Sequence, residues 1–161
     1  MMPTDILPFF EWCEATWLGQ SIRQSLWLFP VIESVHLLGL SLLGGAVLVV
    51  DLRLFGVGLR HQPLALVARG AMRWLYVGVA VMLTTGLLLF LSEAVKCYYN
   101  QSFWTKMTTL PVALLFTFAV RQRLAVRDRP VAPWRRRLLA TVSVVLWFTV
   151  AAAGRWIGYS S

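Results

Sequence analysis

Four long apolar stretches, roughly Phe29–Val50, Met72–Leu91, Phe103–Val120 and Leu138–Gly154, occupy most of this 161-residue chain. Each is close to the ~20 residues that a helix needs to cross a hydrocarbon core about 30 Å thick. Inside lipid every backbone N–H and C=O must be satisfied within the segment, so such stretches take the form of helices. No polar block between them is large enough for a soluble domain: hydrophobic residues make up 58% of the chain, and its mean hydropathy is +0.69. The expected fold is all-α, a four-transmembrane-helix bundle built as a single integral membrane domain over residues 1–161.

The formal net charge of +8 would suit a nucleic-acid partner if the basic residues formed one groove. They are instead sorted by side. Arg53, Arg60, Arg69 and Arg73 follow the first stretch, and Arg121, Arg123, Arg127, Arg129, Arg135, Arg136 and Arg137 follow the third. Only Arg23, Lys96, Lys106 and Arg155 fall on the other side, a bias of eleven against four. By the positive-inside rule both arginine-rich linkers face the cytoplasm and both termini lie outside, which is periplasmic in a bacterial inner membrane. Some of these arginines are also placed to meet anionic lipid headgroups. Pro3, Asp5, Pro8 and Glu11 do not form a basic segment leading into an apolar core, so no cleavable signal peptide is expected.

Ahead of the first stretch, Ile6–Ser25 mixes Phe9, Phe10, Trp12, Trp17 and Leu18 with Glu11, Glu14, Gln20 and Arg23. That pattern predicts an amphipathic helix lying on the outer membrane surface. Trp27, Trp104, Trp156 and Tyr159 fall near the outer boundary and Trp74 and Trp134 near the inner one, as aromatic belts do. Gly39, Gly44, Gly45 and Ala46 thin the first helix, and Thr84, Thr85 and Gly86 the second. Such positions admit close helix contact or leave room for a flat cofactor. Pro111 predicts a kink in the third span, or a freed carbonyl near Met107. The segment Arg121–Arg137, with Arg-Asp-Arg-Pro and Pro133, reads as a short irregular connection.

The ionisable residues that break the apolar pattern gather at one depth. Glu33 and His36 lie about one turn apart on the first span, Glu93 and Lys96 end the second, Lys106 opens the third and Arg155 closes the fourth. Charged groups within spans usually face the bundle interior or an aqueous cavity, so this outer cluster is the candidate site. His36 supports two readings: a ligand for haem iron or another metal, or a structural hydrogen-bond partner of Glu33 or of a Ser or Thr on a neighbouring helix. His61 lies in the cytoplasmic linker, which excludes a bis-histidine haem within one chain. A five-coordinate haem, a non-histidine sixth ligand and a haem shared by a dimer all stay open. Lys106 and Arg155 are suitable counter-ions for propionates or another anion, or else they snorkel to headgroups. Copper is a second option, with His36, Met107, Cys13 and Cys97 as soft ligands, although no paired motif accompanies them. Cys13 and Cys97 both fall on the oxidising side, where a disulfide would pin the surface helix over the bundle mouth. Asp51, at the inner end of the first span, is expected to pair with Arg73 or Arg121. No phosphate loop, Ser/His/Asp arrangement or zinc spacing appears, and no catalytic residues are assigned.

The run Glu33-Ser34-Val35-His36-Leu37-Leu38-Gly39, continuing through Gly44-Gly45 to Asp51-Leu52-Arg53, resembles the first span of a group of small bacterial four-helix membrane proteins. Within that group the chain looks most like an uncharacterised family. More distantly it is similar to the membrane domain of the copper-resistance protein CopD and to HemJ-type protoporphyrinogen oxidase. Met72-Arg73-Trp74-Leu75-Tyr76, Thr85-Gly86, Phe103-Trp104-Thr105-Lys106 and Gly154-Arg155-Trp156-Ile157-Gly158-Tyr159 carry the rest of the resemblance. The HemJ likeness implies b-type haem at His36 with Lys106 beside it and Arg155 as an anion partner. The CopD likeness implies copper handling. The expectation is a haem-binding membrane protein for electron transfer or oxidation, working with a periplasmic or membrane redox partner or as a homo-oligomer. The alternative is a non-catalytic subunit that anchors or assembles a periplasmic partner.

Overall fold

A computed structural model describes residues 6–127 and 132–159. It contains the helices α1 (Leu7–Glu14), α2 (Trp17–Gln24), α3 (Leu28–Phe55), α4 (Leu64–Ser92), α5 (Ala94–Tyr99), α6 (Gln101–Leu115), α7 (Gln122–Val126) and α8 (Pro133–Ile157). A π-helical segment, Phe116–Arg121, joins α6 to α7. With that segment included, the chain has four helices long and apolar enough to cross a membrane: Leu28–Phe55, Leu64–Ser92, Gln101–Val126 and Pro133–Ile157.

All four exceed the apolar runs that predict them. An apolar run marks only what lipid must cover, whereas the backbone keeps its hydrogen bonds through the arginine-bearing turns beyond it. Arg53, Arg69 and Arg73 therefore sit on helices, and so does most of the basic segment expected to be irregular between 121 and 137. Its Arg-Asp-Arg-Pro stretch falls largely at 128–131, outside the described residues, as do Pro3 and Asp5. α3 stops at Gly56, whose φ of 78° is left-handed, and Gly56 N–H and Val57 N–H close the last turn onto Arg53 and Leu52 carbonyls. α8 begins at Pro133, where a missing N–H does no harm.

The bundle is joined most closely at α3/α4, with α8 against α3 and α6 against α8. Two glycines allow the α3/α4 approach. A Cβ on Gly78 would stand 2.9 Å from Leu43 Cβ and 3.2 Å from Leu43 N, and one on Gly39 would stand 2.7 Å from Val81 Cγ1. Gly44 and Gly45 have nothing within 4 Å of such a Cβ, so the thinness expected there makes no helix contact.

The inward face of the third span follows an unusual rhythm. Ala113, Thr117, Arg121 and Ala125 recur every fourth residue and are all 0% exposed. At 3.6 residues per turn each such step drifts by about 40° around the axis, so a straight α-helix would carry the series off the interior. The wider winding of Phe116–Arg121 absorbs that drift. The chain passes through Pro111 within α6, and the change of winding comes after it.

The surface helix expected over Ile6–Ser25 is two helices. Thr16 breaks it: the Thr16 hydroxyl accepts from Gly19 N–H at 3.3 Å and so starts α2. Nor does α1 only skim a surface. Phe10 and Cys13 are buried with Ala94, Cys97, Tyr98 and Phe103, in a cluster that closes the end of the bundle carrying both termini. Phe10 meets the rings of Phe90 at 5.5 Å, Tyr98 at 5.3 Å and Trp104 at 5.9 Å. The Glu14 carboxylate accepts from Val95 N–H at 2.7 Å, near the start of α5, and pairs with Arg23. Trp104, expected at the lipid boundary, instead donates its indole N–H to the Tyr98 carbonyl at 2.9 Å.

Candidate functional site

On α3 the residues His36, Leu43, Val47, Val50 and Leu54 follow a helical stripe, and the last four form part of the core. On α6, Lys106 shares a stripe with Phe103, Ala113 and Thr117. The imidazole and the ammonium are thus the ionisable members of these two largely buried stripes. His36 lies about 12 Å along α3 and Lys106 about 8 Å along α6, at ~1.5 Å per residue. Both are half-buried.

His36 Nδ1 is 2.7 Å from the hydroxyl oxygen of Thr85 on α4. That hydroxyl gives its single proton to the Val81 carbonyl at 2.6 Å, one turn earlier on its own helix. Thr85 therefore accepts from His36, and Nδ1 carries the proton. In neutral imidazole the other nitrogen, Nε2, then keeps its lone pair and is available as an acceptor or a ligand. Gly86 gives the ring its place, since a Cβ there would lie 3.4 Å from His36 Cε1. Lys106 has a matching seat on α8, where a Cβ at Gly154 would lie 3.4 Å from Nζ. Among the described residues Lys106 forms no hydrogen bond or ion pair.

The other members of the expected cluster stand apart. Arg155 is exposed: its guanidinium lies 4.6 Å over the Tyr159 ring, with Nη2 2.5 Å from the Tyr159 hydroxyl. The interior stripe of α8 runs through Trp147 and Gly154, so position 155 is turned roughly 100° away from it. Glu33 is exposed on α3, and His36 takes Thr85, not Glu33, as its partner. Glu93 and Lys96 pair with each other at 3.8 Å at the start of α5. Cys13 and Cys97 are free, buried thiols within the terminal cluster. Burial and then the Glu93 carboxylate push the Cys97 thiol up to about 11. Met107 is 39% exposed, and among the described residues no three His, Cys, Asp or Glu side chains gather at one point.

A second polar group lies near the arginine-rich end. Arg121 Nη1 donates to Asp51 Oδ1 at 2.7 Å, to the Val47 carbonyl at 3.0 Å and to Ser143 Oγ at 3.3 Å. Gln122 donates to the Ala68 carbonyl at 2.6 Å, and Trp147 to Thr117 Oγ1 at 2.9 Å. Asp51 was expected to find Arg73 or Arg121, and it finds Arg121. That arginine is a core residue, not part of an exposed linker.

Thr85 and Gly86 stand out in the sequence as small residues and Gly154 only as part of the Gly154–Tyr159 motif, none of them as a seat of His36 or Lys106. The signal that could have assigned them is the buried stripe of each helix: Leu75, Gly78 and Thr85 on α4, and Trp147 and Gly154 on α8.

Residues 9–160 match the model of a family of unknown function, DUF6644, and the chain belongs to that family. No curated protein and no solved structure matches it.

Proposed function

We propose that this member of the DUF6644 family is a multi-pass protein of a bacterial inner membrane that binds b-type haem near its terminal face and serves in electron transfer or oxidation. The observation that carries the reading is the fixed imidazole of His36. Thr85 holds Nδ1–H, so Nε2 presents a lone pair in the manner of metal-bound histidines, whose second nitrogen is likewise tied by a hydrogen bond. The residues fit the group in three further respects. Lys106 offers an unpaired ammonium for a propionate, Gly86 and Gly154 leave both side chains room, and the Phe10 cluster shields the site from the aqueous end. When bound, haem would supply one-electron chemistry, while the chain supplies ligand, burial and counter-charge.

The test is the visible spectrum of detergent-purified protein from cells well supplied with haem. A Soret band in the wild type that disappears in His36→Ala and weakens in Thr85→Val is expected. A colourless wild type overturns the reading, and metal analysis then tests copper.

A second reading, a membrane anchor for a periplasmic partner, is favoured by the exposure of Trp12 (67%) and Trp17 (82%) on the terminal helices. Its test is loss of a co-purifying periplasmic protein from the Trp12→Ser, Trp17→Ser double variant. Deleting the helices would be a poorer test, because Phe10 belongs to the core.

The proposed orientation follows from the arginine bias, with both termini periplasmic. A cysteine at exposed position 61 (His61→Cys) should react with an impermeant thiol reagent only in inverted vesicles. Labelling from the periplasmic side would reverse the orientation.

A further inference from the structure

The seam between α4 and the π segment of the third span is bridged by aromatic side chains. The Tyr76 and Phe118 rings stack across it at 5.3 Å, nearly parallel at 15°. Beside that bridge lie two hollows of about 430 and 380 Å³ that share Phe118 and Arg123. The first is lined by Pro111, Leu114, Leu115 and Phe118 and runs toward the middle of the bundle. The second reaches Arg127 at the arginine-rich end. The groove is thus apolar along its length and cationic at its mouth.

Arg123 and Arg127 lie one turn apart at the end of the third span, and both are exposed. Among the described residues neither guanidinium has an ion-pair or hydrogen-bond partner. Arg121, the buried arginine of the same span, takes the nearby carboxylate of Asp51 and leaves these two exposed guanidinium groups to a ligand from outside the bundle. A slot of this kind at a membrane boundary matches an amphiphile with an apolar chain and an anionic head.

We infer that this groove seats one anionic phospholipid, with an acyl chain along Leu114, Leu115 and Phe118 and its phosphate between Arg123 and Arg127. The site lies at the opposite end of the bundle from His36 and does not depend on haem.

The test is native mass spectrometry of protein extracted from vesicles holding equal amounts of phosphatidylglycerol and phosphatidylcholine. The wild type should retain phosphatidylglycerol roughly tenfold or more over phosphatidylcholine. Arg123→Gln with Arg127→Gln should abolish the preference. Ala119→Trp, which fills the first hollow from an exposed position, should abolish retention of either lipid. Arg135→Gln with Arg137→Gln, on exposed positions of α8, should leave the preference intact. The inference fails if the wild type shows no preference, or if the α8 pair lowers it as much as the groove pair. It also fails if Ala119→Trp leaves retention unchanged, or if inorganic phosphate alone displaces the lipid.

Discussion

The two ends of the bundle treat their polar residues in opposite ways. Toward the arginine-rich end, Asp51 and Arg121 are 1% and 0% exposed and joined to each other, with Val47 and Ser143 completing the contact. Toward the terminal end, His36 and Lys106 are half-buried, and Nε2 and Nζ point to no partner among the described residues. The first arrangement is structural: its two charges are paired through Asp51 Oδ1 and Arg121 Nη1, while Asp51 Oδ2 and Arg121 Nε and Nη2 are buried without a partner. The second keeps its chemical capacity free. Ionisable residues in a span are thus not equivalent pointers to function; what counts is whether the protein has already paired their charges.

The largest effect should come from breaking the closed end. Arg121→Met leaves the Asp51 carboxylate buried alone and should cost about 3–5 kcal/mol in thermal unfolding. Adding Asp51→Asn should recover most of it; a double variant as unstable as the single one would show that pairing is not the reason. Phe10→Ala removes the ring that fills the terminal cluster, with an expected loss of about 3 kcal/mol. It should also expose Cys97. In the wild type, alkylation of Cys97 should be slow at pH 8 and rise ~tenfold per pH unit toward 11, because only the thiolate reacts and burial keeps the thiol protonated. Fast labelling of the wild type at neutral pH would contradict the seal.

A like-for-like contrast comes from one substitution made at both ends. Thr117→Val strands the buried Trp147 indole N–H, at a cost of about 1–3 kcal/mol. Thr85→Val frees only a half-exposed imidazole and should cost about 1 kcal/mol or less. Equal losses would remove the distinction between the ends.

The four helices were legible because hydropathy is a property of long windows. The Asp51 partnership was legible because a carboxylate at a span end has few cations within reach. The cluster of His36, Lys106 and Arg155 was read by depth alone, and depth does not separate position 154 from 155. Rotation around the helix does, and it gives Gly154 to Lys106 while turning Arg155 to Tyr159. The break at Thr16 carries a capping signal that an amphipathic reading of Ile6–Ser25 passes over. The π segment leaves no hydropathy mark, since Phe116–Arg121 is apolar but for Thr117 until its last residue. Only the recurrence of interior positions every fourth residue betrays it.

That segment makes the seating of Arg121 depend on how the third span is wound. Tightening it to ordinary α winding with every residue kept would turn position 121 by about 80° relative to Ala113. The guanidinium of position 121 would then leave its carboxylate, and Gln122 would lose the Ala68 carbonyl. Loss of one residue together with the tighter winding would cancel most of that turn, so a third span shorter by one can keep the same interior face.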